Sequence, residues 1–162
     1  MVAARNRGGG RALPTNSRGV RGLFKALRDG EVVGILPDQE PPKREGRYAP
    51  FFGRPALTME LPVKLAARQR APMVFGYAFR LPRGGRWVIR FREAPEGLTS
   101  PDPDQAVAAL NAGVEACVRE APEQYLWTYK RFNHQPEGWS RPYPKKGRQK
   151  RRPREKAGKT TD

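Results

Sequence analysis

The chain is poor in the residue types on which covalent bracing and metal chemistry depend. Its 162 residues include one cysteine, Cys117, and one histidine, His134. A lone cysteine excludes a disulfide within the chain, and one cysteine with one histidine makes no zinc cluster. No apolar run approaches the roughly 20 residues that cross a bilayer as a helix. The basic stretch Met1 to Arg11 has no apolar segment after it, so it is not a secretory signal. Acidic residues are scarce too. Sixteen Asp and Glu stand against 32 Lys and Arg, a formal charge of +16. Such a chain expects an anionic partner, whether nucleic acid, phosphorylated lipid headgroups or an acidic carrier protein. Arg-rich coding in a high-GC genome contributes to the same count.

What is present is enough for one core. The chain is 37% hydrophobic, and its Leu, Val, Phe and Trp are spread through Leu13 to Trp139. We expect a flexible N-terminus over residues 1–10, one domain over 11–140 and a disordered tail over 141–162. The tail holds ten Lys or Arg against Glu155 and Asp162, half of the total charge. It is a strong electrostatic signal for nucleic acid or anionic lipid and a weak specificity signal.

The periodicity predicts an α/β order. Gly9 to Pro14 reads as a short strand. Asn16 or Ser17 caps a helix to Asp29, stopped by Gly30. Val20, Leu23, Phe24 and Leu27 form its apolar stripe. Arg18, Arg21, Lys25 and Arg28 form a basic surface that is either solvated or meets lipid phosphates. Val32 to Leu36 reads as a strand buried on both sides, as in a parallel sheet. A second helix is predicted from Thr58 to Gln69, with Pro62 in its first turn. Met73 to Arg80 and Trp87 to Glu93 read as a hairpin around Gly84-Gly85. In the second strand Trp87, Ile89 and Phe91 lie on one side, Arg90 and Arg92 on the other, which leaves one wet face. Asp104 is the predicted cap of the longest helix, to Arg119. Its apolar stripe includes Val107, Leu110, Asn111, Val114 and Cys117. Pro122-Glu123-Gln124 starts one more helical turn.

Few residues offer chemistry. Asp38 and Gln39 follow the expected strand end, where α/β proteins open clefts. Asp38 reads either as a cleft carboxylate or as a loop acid paired with Arg44 or Arg47. Phe51-Phe52-Gly53 reads either as a loop anchor or as the wall of an apolar-chain groove, with Arg54 beside it. His134 reads as a surface residue and Cys117 as a small buried hydrophobe.

In this order and spacing ILPDQ, APFFGRPALT, APMVFGYAFR and PEQYLWTYKRF resemble the late acyltransferases of lipid A biosynthesis, within the wider glycerolipid acyltransferase-like group. The resemblance covers Arg11 to Gly138. It implies part of an acyltransferase-like αβ sheet with flanking helices, the carboxyl-terminal half of a protein about twice this length. It implies transfer of an acyl group from acyl carrier protein to a hydroxyl of a phosphorylated lipid A precursor, without cofactor or metal. It implies peripheral seating on the anionic cytoplasmic face of the bacterial inner membrane. The family's general base is a His followed, after four intervening residues, by Asp or Glu. Here Trp139 stands five positions after His134, so no catalytic residue is carried over. The resemblance carries Asp38, Gln39, Phe51, Phe52, Gly53 and Thr58 to the substrate pocket, and Arg80 to a phosphate contact. It also implies that the chain has little activity alone.

Overall fold

A computed structural model describes residues 9–82 and 85–144. The expectations for residues 1–8, Gly84 and the tail from residue 145 lie outside the described residues. Within them the elements are α1 (Ser17–Arg28), β1 (Gly46–Phe51), β2 (Arg54–Met59), α2 (Leu61–Gln69), β3 (Val74–Arg80), β4 (Trp87–Glu93) and α3 (Pro103–Val118), then a 3₁₀ turn at Pro122–Gln124.

α1 begins where Asn16 Oδ1 accepts from Gly19 N at 3.1 Å and ends at Gly30, whose φ is +82°. Lys25 and Arg28 suit its C-terminal dipole. α3 begins at Asp102, two residues before the expected Asp104. Asp102 Oδ1 accepts from Asp104 N at 2.9 Å, and Pro103 follows in the first turn. α3 is the centre of the core. Val107, Leu110, Val114 and Val118 pack with Ala49, Phe51 and Ala56 of the first hairpin, Val63 and Ala66 of α2, and Phe75 of β3. Gly113 permits the approach of β3, because a Cβ there would lie 2.4 Å from the Phe75 ring.

Two antiparallel hairpins replace the parallel sheet expected from the sequence. Val32 to Leu36 is extended but joins no strand among the described residues. Val32 is 97% exposed and Leu36 53% exposed. Val33 and Ile35 alone turn inward, so the run is covered on one side rather than two. Gly9 to Pro14 likewise forms no strand. Thr58 does not open a helix. It lies in β2, paired with Arg47, and α2 starts at Leu61. The chain reverses earlier, at Phe52 (φ 49°) and Gly53 (φ 72°), a two-residue loop with both central residues left-handed. That geometry matches strand twist and makes the FFG block a hairpin tip.

The second hairpin runs in register from Val74 opposite Glu93 to Arg80 opposite Trp87. Neither face of β4 is buried. Trp87, Ile89 and Phe91 are 59%, 66% and 73% exposed. The opposite face carries Arg90 and Arg92, each held by Glu120 just beyond α3, at 2.7 and 2.8 Å. Tyr77 first, then Arg90 and Arg92, lower the Glu120 carboxyl from 4.5 to about 2. A depressed carboxyl stabilises the fold above its unfolded value and loses that contribution as pH falls through the folded one. Acid unfolding between about pH 4.5 and 2 is therefore expected to shift upward in pH for Glu120→Gln. Circular dichroism against pH checks this, and an unchanged acid limb would show that the Glu120 contacts do not couple to folding.

Tyrosine 143 is also tied to the domain, its hydroxyl accepting from Phe132 N at 3.0 Å. The chain's three tryptophans, Trp87, Trp127 and Trp139, all stand at the surface, 46–59% exposed.

Candidate functional site

Two features meet near the turn Pro37-Asp38: a polar knot under the first hairpin and an apolar cavity beside it. The knot centres on Arg131, 2% exposed. Its Nη1 donates to Leu57 O at 2.6 Å and its Nη2 to Thr58 Oγ1 at 2.7 Å, with Asn111 Oδ1 at 3.4 Å. Its Cζ lies 5.4 Å from the centre of the Phe51 ring. Asn111 Nδ2 in turn donates to Pro50 O at 3.0 Å and Ala49 O at 3.3 Å. One guanidinium and one amide thus tie α3, β1, β2 and the C-terminal loop together. No carboxylate lies within ion-pair distance of Arg131 among the described residues, and burial pulls its pKa down.

A second polar group borders the knot. Glu40 Oε1 accepts from His134 N at 2.7 Å, and Glu40 Oε2 lies 3.0 Å from His134 Nδ1. Tyr129 Oη accepts from Glu40 N at 2.7 Å. Tyr125 Oη is buried without a hydrogen-bond partner. Burial first, and the Asp38 charge second, push it up to about 12. The hydroxyl therefore stays protonated and available to donate. Among the described residues no group of three or more His, Cys, Asp or Glu could hold a metal ion.

The cavity, about 140 Å³, is walled by Leu27 of α1, Val33, Ile35 and Pro37 of the extended segment, and Leu65 of α2. Met73, Phe75 and Leu110 also line it, and all its lining side chains are apolar. Pro37, the neighbour of Asp38 in the sequence, is among its lining residues.

The predicted site residues divide. Asp38 is half-buried and close enough to Tyr125 and Arg131 to act on both electrostatically. Gln39 is exposed. Thr58 is fully buried and bonded to Arg131, inside the knot. Phe51 is a core residue whose ring meets Phe52 (4.9 Å), Phe132 (6.0 Å) and Tyr125 (6.4 Å). Phe52 is half-buried at the hairpin tip. Its N–H donates to Glu115 Oε1 at 2.6 Å, and its ring meets Trp127 and Arg119. Neither phenyl ring lines the cavity. Gly53 completes the tip. Arg80 stands apart: its guanidinium covers the Trp87 ring at 4.8 Å, and its backbone pairs with the Gln124 side chain.

Sequence reasoning missed Arg131, Tyr125 and the Glu40–His134 pair. Asn111 did leave a signal, as the polar member of an apolar helix stripe. Arg131 left none, since Lys130-Arg131 reads like any other basic pair in this chain.

A family model described as bacterial lipid A biosynthesis acyltransferase matches residues 1–134. The lipid A biosynthesis lauroyltransferase of Escherichia coli K12 is 31% identical over 120 residues, which is 74% of this chain and 39% of that protein. The palmitoleoyltransferase of the same organism is 32% identical over 125 residues, 76% of this chain and 40% of its own. A lipid A biosynthesis acyltransferase of Haemophilus influenzae is 28% identical over 123 residues, 76% and 38%. The chain spans about two fifths of the length of these relatives.

Proposed function

We propose, on the premise that this chain belongs to the bacterial lipid A biosynthesis acyltransferase family, that it supplies the acyl-holding part of an acyltransferase. The donor is a fatty acyl thioester of acyl carrier protein. The acceptor is a hydroxyl of a phosphorylated lipid A precursor, at the cytoplasmic face of the inner membrane. No described helix is long and apolar enough to cross a membrane, so the proposed seating of these residues is peripheral.

The observation that carries this reading is the apolar cavity, whose lining includes Pro37, the residue before Asp38. A cavity of about 150 Å³ with such a lining holds a benzene ring. The one here therefore takes about six carbons, part of a fatty acyl chain rather than all of it. Apolar walls are worth about 0.8 kcal/mol per buried methylene. Six methylenes then contribute several kcal/mol, enough to fix the chain and leave its thioester at the lip.

At the lip the acceptor oxygen attacks the thioester carbonyl carbon, its proton passes to a base, and the thiolate leaves. Asp38 orients polar groups of the substrates there, with the buried Tyr125 hydroxyl within its electrostatic reach. Arg131, Thr58 and Asn111 hold the lip from beneath, with Phe51, Phe52 and Gly53 fixing the hairpin above α3. The reading assigns outer contacts to the exposed Gln39 and to Arg80, the latter with a phosphate away from the lip. The chain contains no His with an acid five positions on, since Trp139 occupies that place relative to His134. In this reading His134 is not that base, a group whose assistance is worth a rate factor of about 10²–10⁴.

Filling the cavity tests the reading. Ala71 lines it from a loop rather than from the packed core. Ala71→Phe is expected to weaken binding of a fluorescent C12 fatty acid at least about tenfold, with the thermal unfolding midpoint little changed. Unaltered affinity in the well-folded variant would remove the cavity from the function.

A further inference from the structure

On the other side of α1 lies an open concavity of different character. Arg11, Arg18 and Lys25 line it with Leu13, Pro14 and Gly22, and no acidic side chain does. Close packing creates it. A Cβ on Gly19 would lie 1.7 Å from Pro14 O, and one on Gly22 would lie 2.9 Å from Leu13 Cδ1. Glycine at both positions lets residues 11–14 lie directly on the helix. That approach brings Arg11 to Arg18 and Lys25, which are seven apart and share a face.

The nearest acids only partly offset these charges. Asp29 pairs with Lys25 and also with Arg28, and Glu31 lies 3.7 Å from Arg11 with both side chains largely exposed. Arg18 has no hydrogen-bond or ion-pair partner among the described residues. Three cations about one hollow repel one another, and an anion seated between them reverses the sign of that energy.

We infer that this concavity binds a phosphate monoester carried on an amphiphile. The Arg18 and Arg11 guanidinium groups present paired N–H donors to phosphate oxygens, and Lys25 adds a point charge. A monoester near −2 matches three cations better than a singly charged diester does. Leu13 and Pro14 give its apolar part a floor. The inference rests on the acyltransferase reading only in identifying the amphiphile as the phosphorylated acyl acceptor. The phosphate site itself is separate from the acyl cavity: Leu27, which lines the cavity, is two residues from Lys25 and about 200° around the helix.

The test uses the ¹⁵N-labelled 162-residue chain. Glucose 6-phosphate should shift the amide signals of Leu13, Gly19 and Gly22. Vesicles containing phosphatidic acid, a monoester, should bind more tightly than phosphatidylglycerol vesicles of matched surface charge. Arg18→Gln with Lys25→Gln should weaken both at least about tenfold, while Arg18→Lys keeps most of the binding. A control pair in the charged loop, Lys43→Gln with Arg44→Gln, should leave binding intact. Circular dichroism of each variant separates lost binding from lost folding. Unshifted signals, an unaffected Arg18/Lys25 double variant, or equal binding of phosphatidylglycerol would overturn the site. Failure of C12 fatty acid binding would overturn the acyl cavity instead and leave this result standing.

Discussion

Arg131→Ala is expected to destabilise the domain by about 4 kcal/mol, and Arg131→Met by about half of that. The alanine variant loses three hydrogen bonds and opens a cavity beneath β2, where large-to-small changes cost about 2–5 kcal/mol. Methionine refills most of the space. It still leaves Leu57 O buried without a donor, at about 1–3 kcal/mol, while Thr58 and Asn111 keep their 3.1 Å bond to each other. It also removes a charge buried without an ion-pair partner, which offsets part of the loss. Urea unfolding of both variants measures the two terms. A methionine variant as stable as the parent would mean that the guanidinium's bonds merely balance its own burial, and that the residue serves the site rather than the fold.

Phe51→Ala is expected to cost about 3–5 kcal/mol, whereas Phe52→Gly, one residue on, should stay within about 1 kcal/mol of the parent. Phe51 is 1% exposed, and its removal leaves a ring-sized void. It also strips the ring face from the Arg131 guanidinium, a contact worth up to about 2 kcal/mol when desolvated. Phe52 is half-exposed and sits at φ 49°, a strained conformation for a bulky side chain. Glycine relieves that strain while giving up the contacts with Trp127 and Arg119, so the two effects nearly cancel. Equal losses at both positions would show that the tandem rings act as one unit.

Particular residues show what the sequence carried. α1, α3 and the β3–β4 hairpin were readable, because caps, 3.6-residue stripes and a Gly-Gly turn are local signals. The Val32–Leu36 strand failed because a strand needs a neighbour, and a short apolar run cannot say whether one is present. The start of α2 was placed too early because the hairpin tip is Phe52-Gly53 rather than Asn-Gly, and a phenylalanine does not announce a left-handed turn. β4 alternates as predicted, but alternation does not say which face turns inward. Here Glu120 pairs with the arginines, and both faces stay largely exposed. At the site, ILPDQ led to Asp38 and the cavity lip, since Val33, Ile35 and Pro37 line the wall leading there. Arg131 stayed hidden, because burial of one cation among 32 is decided by partners 20 to 74 positions away.

The surface placement of all three indoles has an optical result. Their emission in the folded chain is expected to lie near that of a water-relaxed fluorophore, so melting the domain should move its wavelength little. Signals from the sheltered rings of Phe51 and Tyr125 will register the transition that the brighter chromophores overlook.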